Sequence, residues 1–145
     1  MRGRAGRYTP STMRTLRTAA LLAILLALPV QAQPAPVDAL ETGRRYTEWL
    51  YAGETARIWD LFSMPMREAI GSARDLADLR KNFVNSAGTE TAIMDETVTP
   101  GASTRLYIRT ARFAKAPTPF TIRWGIDQSG AITGFLIQAR QEEPE

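Results

Sequence analysis

The sequence predicts an α+β fold, in which N-terminal helices pack on a curved four-stranded antiparallel sheet. Three runs rich in β-branched and aromatic residues lie near the C-terminus, at positions 105–113, 120–127 and 131–139. Proline or glycine separates them, as is typical of an antiparallel meander. Segments with helical apolar spacing come before these runs. Helices that are segregated from an antiparallel sheet define the α+β class.

The first 32 residues predict a secretory signal peptide that is not part of the fold. Five arginines precede an uninterrupted apolar run at positions 19–30, and small residues follow at Val30 and Ala32. This order is typical of a signal that is cleaved after Ala32. The true start is Met1 or Met13, since Met13 opens a more typical signal of its own. The apolar run is too short for a comfortable membrane span, although an uncleaved anchor is the alternative. We therefore expect a secreted or periplasmic protein without stable membrane insertion.

The composition of the remaining 113 of 145 residues fits one domain and excludes several chemistries. The signal contains five of the 18 basic residues and none of the 15 acidic ones, so 13 basic and 15 acidic residues remain, a net charge of −2. This balance gives no support to a nucleic-acid partner. The chain has neither cysteine nor histidine, which excludes thiolate–imidazole zinc sites, Ser-His-Asp triads and histidine bases. With no nucleotide, phosphate or calcium motif, no cofactor or metal is expected.

Four helical segments are predicted after an extended leader at positions 33–36. The domain itself is expected at 37–140, with a polar tail at 141–145. Leu40, Gly43 and Leu50 share one face of a first helix, which begins near Val37 and ends at Gly53. A second helix at 55–62 is expected to stop before Pro65, and one more turn follows at 66–70. A capping box in which aspartate replaces the usual glutamate predicts a longer helix at 73–87.

Four strands follow, the first at positions 89–99. The tightest turn is Asp127-Gln128-Ser129-Gly130, where Gly130 can adopt the positive φ of a three-residue hairpin loop. The predicted register of this hairpin pairs Ile126 with Ile132, Trp124 with Gly134, and Ile122 with Leu136. Apolar residues then occupy both faces of the sheet. We expect an uncovered apolar patch made of Phe135, Ile137, Tyr107 and Phe113.

Several motifs resemble a domain of the nuclear-transport-factor-2-like superfamily. They lie at positions 46–54, 58–67, 112–117, 124–127 and 132–135, and the similarity spans about 37–140. The domain is an uncharacterised one that is commonly found ahead of serine hydrolases of the beta-lactamase-like or α/β-hydrolase kinds. The resemblance implies a cone-shaped fold, in which a bent sheet wraps helices around a cavity. Enzymes of the superfamily use an Asp or His base with a Tyr donor. No catalytic motif matches here, and a domain without its hydrolase is expected to act alone or in trans.

Three groups of side chains are candidates for a site. Tyr46, Trp49, Tyr51 and Trp59 cluster near the helix junction, either as a ligand site or as core. Arg105, Arg109 and Arg123 are expected on one sheet face, either binding an anion or solvated. Asp95 could act as a base if the cavity buried it. The predicted ligand-binding set combines members of the first two groups with two further aromatic residues: Tyr46, Trp49, Trp59, Arg109, Arg123, Tyr107 and Phe135.

The preferred hypothesis is a secreted, non-catalytic domain that binds a small apolar molecule or an exported protein partner. One alternative is a small-molecule isomerase or lyase that uses an Asp–Tyr pair in the cone cavity. The other is a dimerisation module that pairs with a second copy of itself. An enclosed pocket with an acid near a tyrosine would favour the enzyme, whereas a packed core with a flat apolar outer face would favour the dimer.

Overall fold

Four helices followed by a four-stranded sheet make up the computed structural model, which describes residues 34–140. The elements are α1 (Ala39–Ala52), α2 (Thr55–Leu61), α3 (Met64–Ile70), α4 (Ala73–Ala87), β1 (Glu90–Thr99), β2 (Thr104–Phe113), β3 (Phe120–Asp127) and β4 (Ile132–Ala139). The predicted α+β class and the order of elements are therefore confirmed. The predicted signal peptide and polar tail lie outside the described residues. Within residues 34–140, none of the helices has the length and apolar character needed to cross a bilayer.

The longest helix, α4, begins and ends as predicted, and α1 ends at Gly53 as predicted but begins two residues later than expected, at Ala39 instead of near Val37. Asp38 caps α1 by accepting hydrogen bonds from two backbone N–H groups of the first turn, at 2.9 and 3.1 Å. Gly53 ends this helix in the left-handed conformation, with a φ of 81°. At α4, the hydroxyl of Ser72 accepts from the N–H of Asp75 at 3.1 Å and donates to its carboxylate at 2.6 Å. The aspartate form of the capping box is thus confirmed.

The segment between α2 and α4 departs from the prediction. The second helix stops before Pro65 as expected, at Leu61, but the next helix starts at Met64 instead of Met66 and includes Pro65 in its first turn, where no hydrogen bond from its nitrogen is needed. Just before α3, Phe62 forms a parallel bridge with Ile132, and the N–H of Ser63 donates to the carbonyl of Ile132 at 2.9 Å. This segment therefore covers the beginning of edge strand β4.

The sheet is antiparallel in the order β1-β2-β3-β4, and α1 packs against β2 and β3. Side chains on the helix-facing side form the core, which includes Tyr107, Ile122, Trp124 and Ile126. Alternate residues of each strand point to the other side, which we call the outer face.

The predicted register of the β3–β4 hairpin is correct only at the turn. Ile126 pairs with Ile132 as expected, but Trp124 lies beside Phe135 instead of Gly134. Thr133 is an extra residue in β4, which makes a β-bulge and shifts every later pair by one position. The next pairs are therefore Gly125–Gly134, Trp124–Phe135, Arg123–Leu136 and Ile122–Ile137.

The apolar patch predicted on the outer face does not exist, because its four members lie on the helix-facing side, with Tyr107 and Phe113 in the core and Phe135 and Ile137 packed against it. A shift of one residue moves a side chain to the other face of a sheet, so the bulge turns Phe135 and Ile137 towards the helices. Both are half-buried against the core. Tyr107 and Phe113 are only 0% and 4% exposed. Phe135 stacks on the ring of Trp124, with 4.4 Å between ring centroids.

Candidate ligand-binding site

A pocket of about 320 Å³ opens between α1, the end of α4, and strands β1 and β2. We call it the Tyr51 pocket. Its lining residues are Thr47, Glu48 and Tyr51 from α1, Val84, Gly88 and Thr89 from α4 and the turn after it, Glu90 from β1, and Arg109 from β2. It combines an apolar wall with converging polar groups, which is the usual composition of a small-molecule site.

Glu90 and Arg109 form a mostly buried ion pair in the wall of this pocket, with side chains 14% and 12% exposed. The Nε of Arg109 donates to Oε2 of Glu90 at 3.0 Å, and its Nη2 donates to Oε1. The hydroxyl of Tyr51 also donates to Oε2 of Glu90, at 2.7 Å. Both carboxylate oxygens are therefore engaged, and the fork of Arg109 is held in one orientation.

A second carboxylate, Glu96, continues this network along β1. It lies directly opposite Arg109 in the β1–β2 register. Its Oε1 accepts from the hydroxyl of Tyr107 at 2.5 Å, and its Oε2 accepts from Nε and Nη2 of Arg44 at 2.9 and 2.5 Å. The Nη1 of Arg109 lies 3.6 Å from Oε1 of Glu96, within ion-pair range but beyond hydrogen-bond distance. We call Glu90, Glu96, Arg109, Tyr51 and Tyr107 the charged network.

The pKa shifts of Tyr51, Tyr107 and Glu96 keep these three groups in their common protonation states. Burial and the hydrogen bond to Glu90 raise the pKa of Tyr51 far above its usual value. Burial and the hydrogen bond to Glu96 raise the pKa of Tyr107 to about 12. The hydrogen bond from Arg44 lowers the pKa of Glu96. Burial acts in the opposite direction, and the hydrogen bond from Tyr107 lowers the pKa further. At neutral pH both tyrosines are hydrogen-bond donors, and Glu96 is ionised.

Two of the predicted site residues, Tyr107 and Arg109, come together in the charged network. The predicted arginine face is wrong, because the register pairs Arg123 with Ile108 and places it on the outer face. Ile108 points to the outer face of β2. Since alternate residues of a strand point to opposite faces, Arg105 and Arg109 lie on the helix-facing side. Asp95 pairs with Thr110, is exposed, and lies on the outer face away from the Tyr51 pocket.

The aromatic candidates are dispersed through the core and its margins. Tyr46 is buried, and its hydroxyl donates to the carbonyl of Gly130 at 2.5 Å. Trp49 contacts Tyr46 and lies under the guanidinium of Arg57. Trp59 does not join this pair but packs on Phe62 and lies under the guanidinium of Arg67. Phe135 stacks on Trp124. The pocket thus contains one residue of the expected cluster, Tyr51.

Sequence reasoning missed Glu90 and Glu96, although the sequence contained a signal. Glu90 and Glu96 lie at even-numbered positions of β1, as do Met94 and Val98. Because the side chains of a strand alternate between two faces, the sequence places both acids on the face that it predicts to be apolar. An acid on an apolar face, next to a strand that carries Arg105 and Arg109 on one face, indicates a partly buried ion pair.

Comparison of the chain with protein-family models, with curated proteins and with solved structures found no match. Membership of the nuclear-transport-factor-2-like superfamily therefore stays a prediction from the sequence motifs.

Proposed function

We propose that the domain is a non-catalytic binding domain that takes a small, largely apolar molecule into the Tyr51 pocket. The observation that carries this proposal is the pocket itself, in which Tyr51 and Val84 adjoin a charged pair that is already neutralised. An apolar ligand can be buried there without leaving Glu90 or Arg109 as an unpaired charge away from water, which would oppose binding. We prefer a small molecule to a protein partner, because Tyr107 and Phe113 of the expected apolar docking patch are buried in the core, and Phe135 and Ile137 pack against it on the helix-facing side.

The contacts of Glu90 favour binding over turnover. A general base needs a free lone pair directed at the substrate and a pKa near neutrality. Both oxygens of Glu90 already accept hydrogen bonds from Arg109 and Tyr51. The raised pKa of Tyr51 keeps its proton on the hydroxyl, where it is donated to Glu90. The isomerase or lyase alternative needs an Asp–Tyr pair, and exposed Asp95 lies on the outer face.

Arg109 also indicates which polar group the ligand carries. Its Nε and Nη2 are used by Glu90, whereas Nη1 has no carboxylate oxygen within hydrogen-bond distance among the described residues. A guanidinium N–H in a sheltered pocket is a strong donor to an oxygen acceptor. An oxygen acceptor on an otherwise apolar ligand would therefore strengthen binding, but binding of the apolar body does not require it.

Filling the pocket should abolish this binding. In a Val84→Trp variant the indole occupies space that the ligand needs. We therefore expect at least about tenfold weaker binding, which corresponds to a loss of about 1.4 kcal/mol of binding free energy from the displaced apolar contacts. The probe is N-phenyl-1-naphthylamine, a small neutral fluorophore whose emission rises in apolar surroundings. Asn82→Trp is the matched control, because Asn82 is exposed on the same helix and does not line the pocket. Equal affinity for the wild-type and Val84→Trp proteins would contradict the proposal, as would an equal loss in both variants.

We also propose that the chain is exported and processed. The support is the order of basic, apolar and small residues before position 33. N-terminal sequencing of the exported protein is expected to give Gln33 as the first residue. Recovery of an exported chain that begins at Met1 or Met13 would contradict cleavage at this site.

A further inference from the structure

A groove of about 700 Å³ runs across the outer face, on the opposite side of the sheet from the Tyr51 pocket. Strands β2, β3 and β4 supply its lining, which includes Ile108, Thr110, Thr121, Arg123, Gln138 and Arg140. We propose that this groove is a second binding site, which takes a small organic anion through the guanidinium groups of Arg123 and Arg140. It is separate from the function proposed above and does not depend on it.

Arg123 differs from Arg109, which is also partly buried in the sheet but is charge-paired, and resembles Arg105, whose Nη2 is likewise buried without a partner. Arg109 has carboxylates as partners, at Glu90 and Glu96. Arg123 is half-buried between Ile108 and Leu136 in its cross-strand row. Its Nε is buried and lacks a hydrogen-bond partner, and no carboxylate of the described residues lies within 4.0 Å of it. A buried guanidinium nitrogen without a partner is costly, and an anion bound at the Nη groups of Arg123 would offset part of that cost by neutralising the charge of the guanidinium.

The rest of the groove offers donors and positive charge. No aspartate or glutamate is among its lining residues. Arg140 is fixed at one end, because its backbone N–H donates to the carbonyl of Pro119 at 2.7 Å. The hydroxyls of Thr110 and Thr121 lie 3.1 Å apart and share one hydrogen bond. That bond uses one of their two O–H donors, so the second remains for an acceptor in the groove.

These groups select an oxyanion. Guanidinium groups match carboxylate and phosphate oxygens in geometry and charge, and neutral O–H and amide donors complete the coordination. The volume exceeds that of a bare inorganic ion, so the predicted ligand carries its anionic groups on a small organic skeleton. Carboxylate and phosphate share this chemistry, and the experiment distinguishes them.

The test measures binding of citrate and of inorganic phosphate to the full chain by isothermal titration calorimetry at constant ionic strength. We expect Arg123→Gln to weaken binding of the better probe about tenfold, the effect of losing a charge-assisted hydrogen bond. Arg123→Lys should recover only part of this loss, because lysine keeps the charge but lacks the planar fork. Arg112→Gln is the matched control, since it removes one exposed charge from the same outer face outside the groove.

Binding of citrate alone assigns carboxylate groups to the ligand, binding of phosphate alone assigns phosphate, and binding of both assigns an oxyanion in general. Each of these results supports the site if Arg123→Gln weakens binding and Arg112→Gln does not. Equal losses in the two variants would overturn the proposal, because they would show only general attraction to a positive face. Failure of both probes to bind the wild-type protein would also overturn it. Circular dichroism confirms that each variant is folded.

Discussion

Replacement of Trp124 by alanine is expected to lower the free energy of unfolding by about 3–5 kcal/mol, as for other buried aromatic residues. Trp124 is fully buried, and it joins the sheet to the helices. Its Nε1 donates to Oγ1 of Thr47 in α1 at 3.0 Å, and its ring stacks on Phe135 and meets Tyr46 edge-on. The change leaves a cavity and removes a donor from a buried hydroxyl, two effects that add.

Urea unfolding followed by circular dichroism measures this loss without depending on the fluorescence of the deleted ring. Trp49→Ala is the control, because it deletes the same side chain at a half-buried position of α1. We expect a clearly smaller loss for Trp49→Ala. A loss below about 1 kcal/mol for Trp124→Ala, which is typical of surface changes, would mean that Trp124 does not have this central position.

The order and type of the elements could be read from the sequence because their signals are local. Gly53 and the Ser72–Asp75 capping box act within one helical turn, so no knowledge of packing was needed to place them. The bulge at Thr133 gave no such signal. Phe135 and its next two neighbours, Leu136 and Ile137, are all apolar, so the sequence of β4 has no alternation from which its inward face can be read. Packing against Trp124 then decides the register.

The candidate site was predictable only in part, for a related reason. Tyr107 and Arg109 were named from β2 alone, but their partners depend on how β1 aligns with β2. That pairing contains two register shifts, between Glu90 and Ala92 and between Ile93 and Asp95. Spacing along one strand does not reveal which acid faces which arginine when the partner strand is bulged.

Replacement of Arg109 by methionine should lower the free energy of unfolding by about 3–5 kcal/mol near neutral pH, the usual cost of removing one partner from a buried ion pair. Methionine keeps much of the apolar volume of the arginine stem, so the effect reports mainly the lost charge and hydrogen bonds. Glu90 and Glu96 remain in a site where they are 14% and 12% exposed, and Arg44 still pairs with Glu96 only. Arg112→Met is the control at an exposed position of the same strand, where a change within about 0.5 kcal/mol is expected.

The pH dependence of this loss distinguishes lost charge pairing from a packing defect. In the wild-type protein the pKa of Glu96 is held below its usual 4.5, so its contribution to stability is present above that pH and disappears as the pH falls. In Arg109→Met, Glu96 keeps the hydrogen bond from Arg44 but loses the positive charge of Arg109, so its pKa rises towards the usual value. The difference in unfolding free energy between the two proteins should therefore shrink as the pH falls from about 7 to about 4.

Adding Glu90→Gln to Arg109→Met should recover part of the loss at neutral pH, because it removes the unpaired charge. A difference that stays constant over this pH range, with no recovery in the double variant, would assign the loss to packing and not to the charged network.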